Sequence, residues 1–174
     1  MAHRPLVIAN EFLRRHAGNV GIDHLKLQKL TYLTNGWWLA QKEQSLVTER
    51  PQVWRYGPVF RSLYNSLAGF GPRPINRAVG PFEGATPVLP TYAREEANLV
   101  DWIWEQYGAL TGPQLSNLTH ATGTPWRRLA EEFNFVVPES LEIPEEYDRE
   151  FFLGLAAERG AGEADAGQLP LPQP

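Results

Sequence analysis

The sequence predicts a mainly α fold: a compact bundle of about six to seven helices, with one or two short strands in a small hairpin. Three observations predict it. Apolar residues recur three and four apart through most of the chain. Helix-start signals recur at Asp23, Thr91, Thr111 and Thr124, each a side chain able to accept from a free N–H of a first turn. Extended character is sparse: one short piece, Gln52 to Tyr56, with room for a second over 74–79.

In chain order, the first helix is expected from Pro5 to about Ala17. Proline suits a first turn, where its missing N–H would have no partner anyway. Ile8, Ala9, Phe12 and Leu13 share a face, and Gly18 is a natural terminator. Asp23 caps the second helix, in which Leu27, Leu30, Leu33, Trp37 and Ala40 repeat at core spacing. Lys26 and Lys29, three apart, fall on a different, outward side. Gly36 within this helix costs about 1 kcal/mol relative to alanine, which a closely approaching neighbour would justify. A third helix is expected from Pro58, burying Val59, Phe60, Leu63, Tyr64 and Leu67, with Arg61 and Asn65 turned elsewhere.

Residues 69–92 are rich in proline and glycine and read as a long loop with room for a short strand over 74–79. The fourth helix is expected after Thr91, with Glu95 and Glu96 at its positive end and Leu99, Val100, Ile103 and Tyr107 on its core side. Thr111 with Gln114 has the capping-box form and opens a short helix through Leu115 and Leu118. Thr124 before Pro125 repeats the signal, with Trp126, Leu129, Ala130 and Phe133 facing one way. A last helix is expected over "PEEYDREFFLGLAAERG", with Tyr147, Phe151 and Leu155 on one face. Residues 1–158 are expected to form one domain, and 159–174 a flexible tail.

Composition narrows the function. The chain has 174 residues, no cysteine and a formal net charge of −4. Disulfides and thiolate metal sites are excluded. A non-specific DNA binder usually carries a basic excess, because phosphate contacts dominate its affinity; this chain carries none overall. No apolar run approaches the ~18 residues a membrane span needs. The polar and charged residues within "MAHRPLVIANEFLRRH" do not resemble a secretory leader, so a cytoplasmic location is expected.

Catalytic signals are weak. His3, His16, His24 and His120 form no metal-ligand spacing, and neither a phosphate-binding glycine loop nor a nucleophile elbow is present. No cofactor is expected. The adjacent pairs Glu95/Glu96, Glu131/Glu132 and Glu145/Glu146 diverge on a helix and do not make a general acid–base dyad. His120 in "LTHATGTPW" is open to two readings: a general base, or a ring that holds the turn leading to Trp126.

The stretch "VWRYGPVFRSLYNSL" (53–67) concentrates aromatics and arginines. In a strand, Trp54 and Tyr56 would share one face and Arg55 the other. Gly57-Pro58 allows a sharp turn into a helix whose first N–H groups, with Arg55 and Arg61, could receive an anion or a partner's carboxylate. Trp54 and Tyr56 are readable either as cover for the second helix or as contact residues.

Three segments then occur in order: "LKLQKLTYLTNGWWLA" (25–40), "VWRYGPVFRSLYNSL" (53–67) and "LVDWIWEQYGALTGPQLSNLTHATGTPW" (99–126). Their pattern resembles the Panacea domain, the family of SocA-type antitoxins and GepA-like phage-associated proteins. The matching residues are Leu27, Lys29, Leu30 and Tyr32; Trp54, Tyr56, Gly57 and Pro58; and Thr119, His120, Pro125 and Trp126. The resemblance covers about residues 5–135; the 69–92 segment and the chain beyond about 136 have no counterpart in it. It implies a non-catalytic antitoxin of a bacterial or phage toxin–antitoxin system, binding a toxin encoded by an adjacent gene. Some relatives are similar to proteolytic adaptors that deliver the toxin to an ATP-dependent protease. Lys26, Lys29, Arg55 and Arg61 are the toxin-binding candidates, chosen for their expected exposure. The competing reading is a regulator of its own operon that uses a helix–turn–helix outline over 111–133, with Arg127 and Arg128 at the second helix; Glu131 and Glu132 weigh against it.

Overall fold

The computed structural model describes residues 2–89 and 93–162. Its elements are α1 (Pro5–His16), α2 (His24–Lys42), β1 (Gln52–Trp54), β2 (Gly57–Val59), α3 (Arg61–Leu67), α4 (Arg94–Tyr107), α5 (Gly112–His120), α6 (Pro125–Glu132) and α7 (Glu145–Gly162), with a 3-10 turn at Ala68–Phe70 after α3. The fold is mainly α, with a two-stranded antiparallel hairpin. No helix among the described residues is long and apolar enough to cross a membrane.

Helix α2 is the axis. It packs against α1, α3, α4, α5, α7 and β2, and is buried without a break from Leu27 to Trp37. A helix covered all round has no solvent face on which to shed its polar residues. Several of them instead bond the segments around it, where an unpaired polar group would be costly. Gln28 donates to the Phe60 carbonyl and accepts from the Phe60 N–H, both at 3.0 Å. Asn35 Oδ1 accepts from the N–H groups of Leu46 and Val47 and from the Ser45 hydroxyl. The Tyr32 hydroxyl donates to Asp148 on α7 at 2.6 Å. Asn10 on α1 plays the same part for the long loop, exchanging two bonds of 2.9 Å with Val79.

Gly36 is explained by α7. A Cβ there would fall within the Phe152 ring, which packs edge-on against Tyr32 and Trp37. Phe152 and Asp148 are the residues α7 buries completely; Tyr147, Phe151 and Leu155, the expected core face, are only partly covered. Asp23, Thr111 and Thr124 cap α2, α5 and α6 as their spacing predicts.

Other boundaries differ. Helix α3 starts at Arg61, not Pro58, because Pro58 lies in β2 opposite Val53 and Gln28 fixes Phe60 as the cap residue. The 74–79 segment contributes one bridge, Ile22 to Ile75, and no strand. Helix α4 begins at Arg94 with the Glu96 carboxylate accepting from the Ala93 N–H; Thr91 lies outside the described residues. Phe133 follows α6 with 37% of its surface exposed instead of joining the core. Helix α7 continues to Gly162, past the expected boundary at 158, and residues 163–174 of the expected tail lie outside the described residues.

Candidate functional site

The hairpin is held from beneath, mostly by residues of the three sequence segments. Trp54 pairs with Gly57 across a two-residue turn, Arg55-Tyr56. The pair beyond it, Val53 and Pro58, is then the non-hydrogen-bonded kind, whose N–H and C=O groups point away from each other. Proline is tolerated there because no hairpin bond needs its N–H. Two of the outward groups are met by the surrounding chain. The Val53 N–H donates to the Leu141 carbonyl at 2.9 Å, and the Pro58 carbonyl accepts from Lys29 Nζ at 2.8 Å.

Lys29 therefore corrects the expectation of an exposed contact residue. It is fully buried beneath the hairpin, and burial pulls its pKa from 10.5 down to about 7. Gly57 leaves room for it: a Cβ at Gly57 would stand 2.9 Å from Lys29 Nζ and 3.0 Å from the Thr119 hydroxyl. With φ at +96°, Gly57 also adopts a backbone that side chains resist. Thr119 directs its hydroxyl back to the Leu115 and Ser116 carbonyls of its own helix.

Two further bonds hold the turn. The Ser116 hydroxyl donates to the Tyr56 carbonyl at 2.7 Å, and the Trp126 indole donates to the Trp54 carbonyl at 2.9 Å. His120 rests edge-on against Trp126 with ring centroids 5.3 Å apart, and its buried Nδ1 has no hydrogen-bond partner among the described residues. Pro125 starts α6 and so sets where Trp126 stands. Leu27 and Leu30 are fully buried core residues. Sequence reasoning passed over Gln28 and Ser116; a glutamine and a serine in apolar helix faces were the available signals.

Above these supports sit the exposed groups. The turn breaks the strand alternation, so Trp54 and Tyr56 do not share a face. Trp54 is half-buried, donates to Gln52 Oε1 at 3.0 Å and packs on Tyr64 with centroids 4.8 Å apart. His24 also packs on Tyr64, with ring centroids 5.1 Å apart, and burial lowers its pKa. Tyr56 projects from the tip with 57% of its surface exposed, beside the Arg55 guanidinium. Arg61 is exposed and reaches the Ser140 hydroxyl at 3.2 Å. Lys26, the remaining candidate, is drawn away: its ammonium donates to the Gly108 carbonyl at 2.6 Å and lies over the Trp104 ring. Arg55 and Tyr56 are thus exposed at the hairpin tip and Arg61 and Tyr64 on the helix that follows it, while both lysines are committed elsewhere.

The arginines of the helix–turn–helix outline are committed. Arg127 pairs with Glu131, and Arg128 with Glu132 and Glu150, which cancels the charge a phosphate would need. Among the described residues, no group of three histidines or carboxylates converges to hold a metal ion.

Residues 27–127 match the family described as antitoxin SocA-like, Panacea domain. The chain is also 30% identical over 128 residues to Antitoxin SocA of Caulobacter vibrioides (strain NA1000 / CB15N), an alignment covering 71% of this chain and 68% of that one. No solved structure matches.

Proposed function

Because the chain belongs to the SocA-like antitoxin family that carries the Panacea domain, we propose that it neutralises a cognate toxin by binding it directly, through the hairpin region. The observation that supports this reading is the contrast within the hairpin. Its backbone is held from beneath by Lys29, Ser116 and Trp126, while the side chains of Arg55 and Tyr56 project exposed from its tip. Tyrosine, tryptophan and arginine dominate binding hot spots, and a preorganised backbone lowers the entropy lost on association. The same contacts favour a structural role for His120 over that of a general base, since its ring is committed to Trp126.

The test is co-expression of the tagged chain with the product of the neighbouring gene. Growth rescue and co-purification at a fixed ratio, resistant to nuclease, are expected. The Arg55→Glu/Arg61→Glu double variant should then lose about tenfold or more in affinity with Tm unchanged, since both groups are exposed. Neither rescue nor co-purification from a folded chain would overturn the reading. Salt-dependent retention on DNA would favour an operon regulator instead.

A further inference from the structure

We propose that the connection between α6 and α7 carries a second docking patch for the same partner, and that the partner meets it with an apolar pocket rimmed by basic groups. The proposal rests on the antitoxin reading above and adds the chemistry of the toxin's surface. The patch lies beyond residue 127, where the family match ends.

Three observations carry it. The first is exposure: Phe133, Phe135 and Val136 show 37%, 53% and 80% of their surface, three large apolar groups within four residues. Scattered surface hydrophobics are ordinary, but a contiguous group is characteristic of interaction sites.

The second is backbone geometry. Four non-glycine residues among those described have positive φ, and three of them, Asn134, Phe135 and Ser140, fall in this connection. Asn134 is explained by helix termination. Its N–H donates to the Glu131 carbonyl and the Phe135 N–H to the Ala130 carbonyl, the paired pattern that closes a helix with a left-handed residue, a position asparagine tolerates. Phe135 is not explained this way. Its φ of +60° is a conformation that bulky residues avoid. The usual compensation, packing of that residue against the last turn of the helix, is replaced by an exposed ring under the Arg127 guanidinium at 4.8 Å. A strained residue that presents its ring to solvent is the pattern expected where strain serves contact.

The third is charge. From Glu131 to Glu142 the chain carries four glutamates and no lysine or arginine. Glu131 and Glu132 pair with Arg127 and Arg128, so the acidic rim is carried by Glu139 and Glu142, which make no ion pair among the described residues. An apolar centre with an acidic rim selects a partner of the opposite pattern. The Arg61 to Ser140 bond places this connection beside the hairpin, so one partner can cover both.

The experiment uses the full chain and the co-expressed neighbouring gene product, with affinity and association rate measured at two salt concentrations. Phe135→Gly removes the ring and relieves the backbone, so Tm should hold or rise while affinity falls tenfold or more. Val136→Asp, at a position with no structural burden, should lose affinity with Tm unchanged. Glu139→Lys should slow association and flatten its salt dependence. Wild-type affinity in both Phe135→Gly and Val136→Asp overturns the patch, and leaves the antitoxin reading standing if Arg55→Glu/Arg61→Glu still fails to bind. Absence of a wild-type complex overturns both.

Discussion

Replacing Lys29 with methionine tests whether the hairpin is built on a buried amine. Lys29 Nζ is fully buried with one carbonyl partner at 2.8 Å, and its pKa falls from 10.5 to about 7 because burial penalises the charged form. The folded value lies below the unfolded one. Between pH 7 and 10.5 the unfolded chain therefore binds more protons, and stability rises with pH across that window. It is lost again as pH falls through 7. The slope approaches about 1.4 kcal/mol per pH unit, or ~3 kcal/mol between pH 7.5 and 10. Lys26, also lowered by burial, adds a slope of the same sign, whereas the raised Tyr32 and Tyr107 act above pH 10. The difference between wild type and Lys29→Met isolates the one group.

Methionine keeps the volume but leaves the Pro58 carbonyl without a donor, a loss of about 1–3 kcal/mol. At pH 10, where the folded amine is neutral and still donates, wild type should be more stable by about that amount. By pH 7.5 the charging penalty should have closed or reversed the gap. Urea unfolding followed by tryptophan fluorescence and far-UV circular dichroism, at half-unit pH steps, reads the two curves. Parallel curves would refute the reasoning, since they would mean the amine titrates as if in water and the hairpin does not seal it.

Two further outcomes follow from buried contacts of α7. Gly36→Ala should destabilise despite alanine's advantage of about 1 kcal/mol in a helix, because overpacking against Phe152 costs about 1–3 kcal/mol. Phe152→Leu in the same chain should recover part of the loss, and a raised urea midpoint for Gly36→Ala alone would contradict the packing. Asp148→Asn tests the opposite linkage. Burial raises the Asp148 pKa from 3.8 to about 7, so the folded chain holds the proton and wild-type stability is lost as pH rises through that window. Relative to Asp148→Asn, wild type should lose ~2–3 kcal/mol between pH 5 and 7.5, read from paired unfolding curves.

Much of the scaffold was legible in the sequence because its signals are local. A cap oxygen, the Asp23 carboxylate or the Thr111 or Thr124 hydroxyl, accepts from an N–H three residues away, so spacing along the chain is spacing in space. Apolar periodicity found the buried faces of α1 and α4 for the same reason. Gly36 declared a close neighbour without saying which one. Arg55 and Arg61 were placed outward correctly, since little is needed to leave a charged group in water.

Lys29 marks where that legibility stops. In the sequence it stands three residues from Lys26, distinguished by its place in the family pattern but by nothing that signals burial. Its burial is decided by a hairpin some thirty residues away, whose Pro58 carbonyl needs a donor, and by Gly57, which leaves space for the amine. The shift of Pro58 from helix to strand and the divergence of Trp54 from Tyr56 have a similar origin, in a register set by pairing and by Gln28 reaching across from α2. The sequence by itself determined the helices, their caps and the family; the tertiary structure decided which polar groups turn inward. A helix end is satisfied by its neighbours in the chain, whereas a buried carbonyl takes whichever donor the packing brings to it.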